Sequence, residues 1–161
     1  MKKIGVIGLG NSLRGDDGIG VILLKKIMEK KQELPGNIEY IDGGTSYLSL
    51  IHDLERFDVV VFIDAVDFNG KPGDSKIFEY EDVISRKISF GISTHGEDII
   101  QVINLSKDID VLPERVVFFG VQLKDVSFGD KISDELYDKV DFLVDDLVWF
   151  LKNLVDEVYE G

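Results

Sequence analysis

The chain has 161 residues, enough for one domain that buries its own core. Its 18 Lys and Arg against 31 Asp and Glu give a net charge of −13, which excludes a generic nucleic-acid binder and disfavours docking on an anionic membrane. Cysteine is absent, excluding disulfides, thiol nucleophiles, iron–sulfur clusters and zinc–thiolate sites. With His52 and His95 the only histidines, any metal site of this chain leans on carboxylates. No apolar run reaches about 18 residues, so no membrane span is expected. The Met1-Lys2-Lys3 start has no signal-peptide pattern, so the expected compartment is the cytoplasm.

Apolar strand-like runs alternate with amphipathic helical runs, the mark of an α/β domain with a mostly parallel sheet. Residues 3–9 read as a buried strand ending in a glycine turn, and 17–31 as a helix broken by Leu34-Pro35-Gly36. A second strand follows at 37–41 and a short helix at 46–55. Asp58 to Ile63 is apolar on both faces, which predicts a central parallel strand. Asn69 to Gly73 is a turn, and 75–80 a weaker strand whose Lys76 and Glu79 suggest a sheet edge. A helix over 97–106, a buried strand over 115–121 and a long helix over 133–158 complete a single three-layer domain spanning 1–161.

The segment from Gly8 to Gly20 leaves the first strand and enters a helix. A dinucleotide fingerprint needs glycine where Leu13 stands, and Asp16 and Asp17 would repel pyrophosphate at the helix start. These aspartates either cap the helix or serve as functional carboxylates. Asp64 ends a central strand and is expected to face a cleft at the carboxyl edge of the sheet, where ligands of open α/β sheets bind; capping of the next turn with Asp67 is the competing reading. Thr94 and Glu97 form a capping box that makes His95 the first helical residue. The positive helix end there favours a neutral imidazole, the form a metal requires, although a lone histidine is more often a surface one. His52, inside a helix before Asp53, reads as solvated. Asp42-Gly43-Gly44-Thr45 follows the second strand onto the same edge, either as a tight turn or as a backbone surface for an extended peptide. Asp17, Asp64 and His95 together make a mixed oxygen and imidazole set suited to nickel, zinc or iron.

The ordered set Gly8-x-Gly10-Asn11-x-Leu13-x-x-Asp16-Asp17-Gly18-x-Gly20, Asp42-Gly43-Gly44-Thr45, Asp64-Ala65, Ser93-Thr94-His95 and Gly120-Val121-Gln122 resembles the nickel–iron hydrogenase maturation endopeptidases, which trim the C-terminal extension of the hydrogenase large subunit. Leu123 stands where that family commonly has proline. The resemblance implies a twisted five-stranded sheet between helices and puts Asp17, Asp64 and His95 on the metal-recognition positions. It implies nickel supplied by the substrate or weakly bound, no nucleotide, and the hydrogenase large-subunit precursor as partner. Asp16, Asn11, Gly43, Gly44, Thr45 and Gln122 then support the ligands or form the substrate loop. Hydrolysis by water, with Asp17 or Asp64 as general base, is the expected chemistry. The competing class is a non-catalytic nickel-sensing chaperone using the same ligands.

Overall fold

Five strands carry the chain: β1 (Ile4–Leu9), β2 (Ile38–Gly44), β3 (Val59–Val66), β4 (Ser75–Glu79) and β5 (Arg115–Gln122). They lie in the order β2-β1-β3-β5-β4, with every pairing parallel except β4 against β5. The computed structural model describes the backbone of residues 1–86 and 93–160 and the side chains of residues 1–83 and 99–160. All residues of β1 and β3 are buried, as expected of strands covered on both faces. β4 is the antiparallel edge that its charged residues predict.

Alternation along the strands divides the core in two. On one face Ile4, Val6, Val61, Ile63 and Val117 pack against α1 (Ile19–Met28) and the C-terminal helices α5 (Asp134–Tyr137) and α6 (Val140–Glu160). On the other, Ile7, Val60, Phe62 and Phe118 pack against α2 (Leu50–Leu54), α3 (Tyr80–Arg86) and α4 (Ser93–Asp108). Phe62 and Phe118 stack across β3 and β5 with centroids 5.3 Å apart. No helix of the described residues is long and apolar enough to cross a membrane.

Several boundaries differ from the sequence reading, each for a local reason. The first helix starts later: Gly15–Gly18 is a 3-10 turn, in which the Asp16 side chain bonds to the 124–133 segment and the Asp17 side chain turns back to the Asn11 N–H. The segment read as helix 46–55 divides into a 3-10 turn over Tyr47–Ser49 followed by α2. β3 runs three residues further than read, since β5 continues to pair with it through Val66, so Asp64 lies inside the strand opposite Gly120. The long C-terminal helix is two helices. The Lys139 N–H closes a tight turn on the Leu136 carbonyl at 3.0 Å before α6 begins. α4 begins at Ser93, which puts His95 in its first turn rather than at its first residue. α3 was not expected at all.

α1 reaches the sheet through a glycine. A Cβ at Gly20 would lie 2.3 Å from the carbonyl oxygens of both Ile63 and Leu9, so the first turn of this helix rests on the ends of β3 and β1. That contact fixes the turn bearing Asp17 over the strand bearing Asp64. Gly20→Ala must push α1 off the sheet. The expected loss is about 1–3 kcal/mol, the usual range for overpacking, read by urea denaturation. An unchanged midpoint would mean that the helix does not rest there.

Candidate functional site

Asp17, on the turn after β1, and Asp64, in the neighbouring β3, both lie toward the carboxyl edge of the sheet and are fully buried. Asp64 therefore does not face an open cleft, as its position in the sequence suggests; the extension of β3 carries it inside. Its Oδ1 accepts the Ala65 N–H at 2.8 Å. Oδ2 of Asp17 accepts the Asn11 N–H at 2.8 Å, and the Asn11 side chain in turn accepts the Leu13 N–H at 2.9 Å. The loop closes this tightly because Gly10 has a φ of 119°, and a Cβ there would sit 1.9 Å from the Asp17 carbonyl oxygen.

Gly10 also donates its N–H to the Gly44 carbonyl at 2.9 Å, joining this loop to the end of β2. The pairing there skips Gly43: Gly8 faces Asp42 and Leu9 faces Gly44, a bulge that turns the strand end. The Gly44 N–H returns to Asp42 Oδ1 at 3.0 Å. Beyond it the exposed Thr45 joins Tyr47, Leu48, Val102 and Leu105 around a cleft of about 360 Å³ between this turn and α4.

Asp16 and Gln122 are ties between loops. Both oxygens of the buried Asp16 are engaged: Oδ2 accepts the N–H groups of Lys124 at 2.8 Å and Asp125 at 2.9 Å and the Ser133 hydroxyl at 2.9 Å, while Oδ1 accepts the Ser133 N–H at 2.6 Å. Gln122 Oε1 accepts the N–H groups of Phe68 and Gly70, and its Nε2 donates to Asp67 Oδ1 and the Leu123 carbonyl. Asp67 thus serves the turn after β3. In the 124–135 segment the Ser127 hydroxyl and N–H hold the Asp125 carboxyl below its usual range, and Lys124 does the same for Glu135.

Among the described residues no three of His, Asp and Glu gather to hold a metal ion. The side chain of His95 lies outside them. His52 is exposed on α2, as read from its place beside Asp53. The sequence reading missed Ser133, taken only as the start of a helix, although it supplies two of the four bonds to Asp16.

The family model for hydrogenase maturation protease matches residues 22–148. This chain belongs to that family. It is similar to the hydrogenase expression/formation protein HupD of Rhodobacter capsulatus, 29% identical over 163 residues, covering 99% of this chain and 76% of HupD. A Methanocaldococcus jannaschii protein ascribed the role of hydrogenase maturation protease is 30% identical over 157 residues, covering 94% and 97% of the two chains. Among solved structures the fold is similar to the hydrogenase maturating endopeptidase HybD of Escherichia coli, with a TM-score of 0.79, 23% identity and coverage of 94% and 93%. The Escherichia coli endopeptidase HycI is 26% identical, with a TM-score of 0.73 over 92% and 90%. Membership of this maturation protease family implies a peptidase.

Removing the buried Asp16 carboxylate breaks four part-buried bonds, each worth about 0.5–1.5 kcal/mol net and more where the acceptor is charged. Asp16→Ala should therefore lose on the order of 3 kcal/mol in urea denaturation. Asp16→Asn, which keeps one acceptor oxygen, should lose less. Equal stability of Asp16→Ala and the parent would show that the clasp is not a structural tie.

Proposed function

We propose that this chain is the cytoplasmic endopeptidase that removes the C-terminal extension of a nickel-loaded hydrogenase large-subunit precursor, with Asp17, Asp64 and His95 recognising the nickel. The observation that carries the reading is the pair of buried carboxylates, Asp17 on the turn after β1 and Asp64 within the adjoining β3, in a chain matching the maturation protease family. Burying two carboxylates is costly, and a cation shared between them offsets that cost. Oxygen donors joined by one imidazole suit a borderline metal such as nickel.

Nickel already held by the precursor would arrive with the substrate, where Asp17, Asp64 and His95 would meet it, and it would supply Lewis-acid polarisation of the nearby peptide carbonyl. The described residues offer no activated nucleophile. Cysteine is absent, and no described serine hydroxyl bonds to a histidine. Water then attacks the scissile carbonyl carbon. Asp17 or Asp64 takes its proton and returns it to the leaving amide nitrogen as the C–N bond breaks. Asn11 and Gly10 hold Asp17 in place, and the clasp at Asp16 holds the turn that bears it. A resident metal is usually fixed by more imidazoles or thiolates than this chain provides. The purified protein should therefore be metal-poor.

Asp64→Asn should cut processing of nickel-loaded precursor by at least about 100-fold, the scale of a lost general base or ligand, while keeping the bond to Ala65 and the fold. Mass analysis of the precursor C-terminus reads the outcome, and processing at the parental rate would remove Asp64 from the site. His95→Ala should leave loaded precursor uncut; normal cleavage would refute the three-ligand proposal.

Without added metal, the parent protein should cut loaded precursor and spare the nickel-free form. Equal cleavage of both forms would overturn nickel sensing. Tight binding of loaded precursor without cleavage would make the chain a nickel-sensing assembly chaperone.

A further inference from the structure

Two large apolar side chains stand in solvent beside this site: Leu13 is 53% exposed and Phe128 81%. They are carried by different loops, yet those loops are locked together. Arg14 and Gly129 form a parallel β-bridge, so the register sets Leu13 beside Phe128. The Gly15 N–H donates to the Gly129 carbonyl at 3.0 Å, the Gly129 N–H to the Leu13 carbonyl at 2.8 Å, and the Asp16 N–H to the Asp125 carbonyl at 2.8 Å. The four bonds to the Asp16 carboxylate complete the clasp. An exposed apolar pair on a frame this well tied is a prepared surface, because little ordering remains to oppose binding. Leu13 lies two residues from Asn11, hence within about 8 Å of the residue whose N–H bonds to Asp17.

This surface carries charge of both signs, with Asp125, Asp130 and Lys131 around Phe128 and Arg14 on the facing loop. Arg14 is half-buried and has no acidic partner among the described residues, in a chain with 31 acidic ones. A second copy of a chain charged −13 would meet general repulsion there. An apolar segment carrying a carboxylate would match all three side chains.

We infer that Leu13, Phe128 and Arg14 form the docking platform for the polypeptide substrate, seating an apolar, carboxylate-bearing segment of the precursor beside the edge that holds Asp17 and Asp64. The inference rests on the peptidase reading for the identity of the polypeptide. It adds that recognition of the chain is separable from recognition of the metal.

Two probes keep those readings apart: nickel-free precursor for binding by biolayer interferometry, and nickel-loaded precursor for cleavage kinetics. Leu13→Ser with Phe128→Ser should raise the Kd for nickel-free precursor and the KM for loaded precursor about tenfold, with kcat and melting temperature unchanged. Leu13→Met with Phe128→Tyr should restore both constants. Arg14→Gln should weaken binding severalfold, and Arg14→Glu further. If the parent binds nickel-free precursor and the serine variant binds it less, but loaded precursor stays uncut by either, the docking surface stands and the peptidase reading falls. Failure of the parent to bind nickel-free precursor, or an unchanged Kd in the serine variant, overturns the docking surface whatever cleavage shows. So does a parent that is dimeric by gel filtration and becomes monomeric in that variant.

Discussion

The Asp16 carboxylate is the bond on which this end of the molecule depends. Sequence neighbours Asp16 and Asp17 face different tasks because one side chain is used up in holding a loop. With its oxygens fixed by Lys124, Asp125 and Ser133, the 3-10 turn cannot relax into the helix that follows it. The turn instead presents Asp17 at the strand edge. Gly20, pressed on the carbonyls of Leu9 and Ile63, holds the same turn from below. A carboxylate tie above and a glycine contact beneath leave Asp17 little freedom, which is the preorganisation that ligand recognition and proton transfer both require.

Gln122 plays the matching part on the other side of Asp64. Its amide is shared between the backbone of the 68–70 turn, Asp67 and Leu123, so the chain leaving β3 is anchored to the end of β5. Each carboxylate of the pair therefore has a polar side chain nearby that spends its hydrogen bonds on protein rather than on ligand. Buried polar groups satisfied in this way rigidify their surroundings.

Much of this was legible in the sequence. The doubly apolar run before Asp64 marked a central strand, and the weak charged strand marked an edge; both follow from burial on two faces or one. The carboxylate positions followed from the rule that parallel strands gather their carboxyl ends. What stayed hidden was long-range. Ser133 and Asp16 are 117 residues apart, and no local pattern signals that they bond. The burial of Asp64 was missed because the end of an apolar run need not be the end of a strand: pairing with Gly120, Val121 and Gln122 carries β3 onward. The break between α5 and α6 was hidden by continuous helical periodicity, since the tight turn at Lys139 preserves the apolar face on both sides.

The division of the core into two faces has a consequence for substitution. The clasp, α1 and the C-terminal helices draw on one set of apolar residues, whereas the Gly43–Thr45 turn leads to α2 and α4 on the other. Only the backbone of the sheet is common to both. Substitutions over α2 and α4 therefore need not disturb the residues that steady Asp17, which lie with the clasp and α1 on the opposite face. Insulation of this kind lets each face of the sheet be repacked on its own terms.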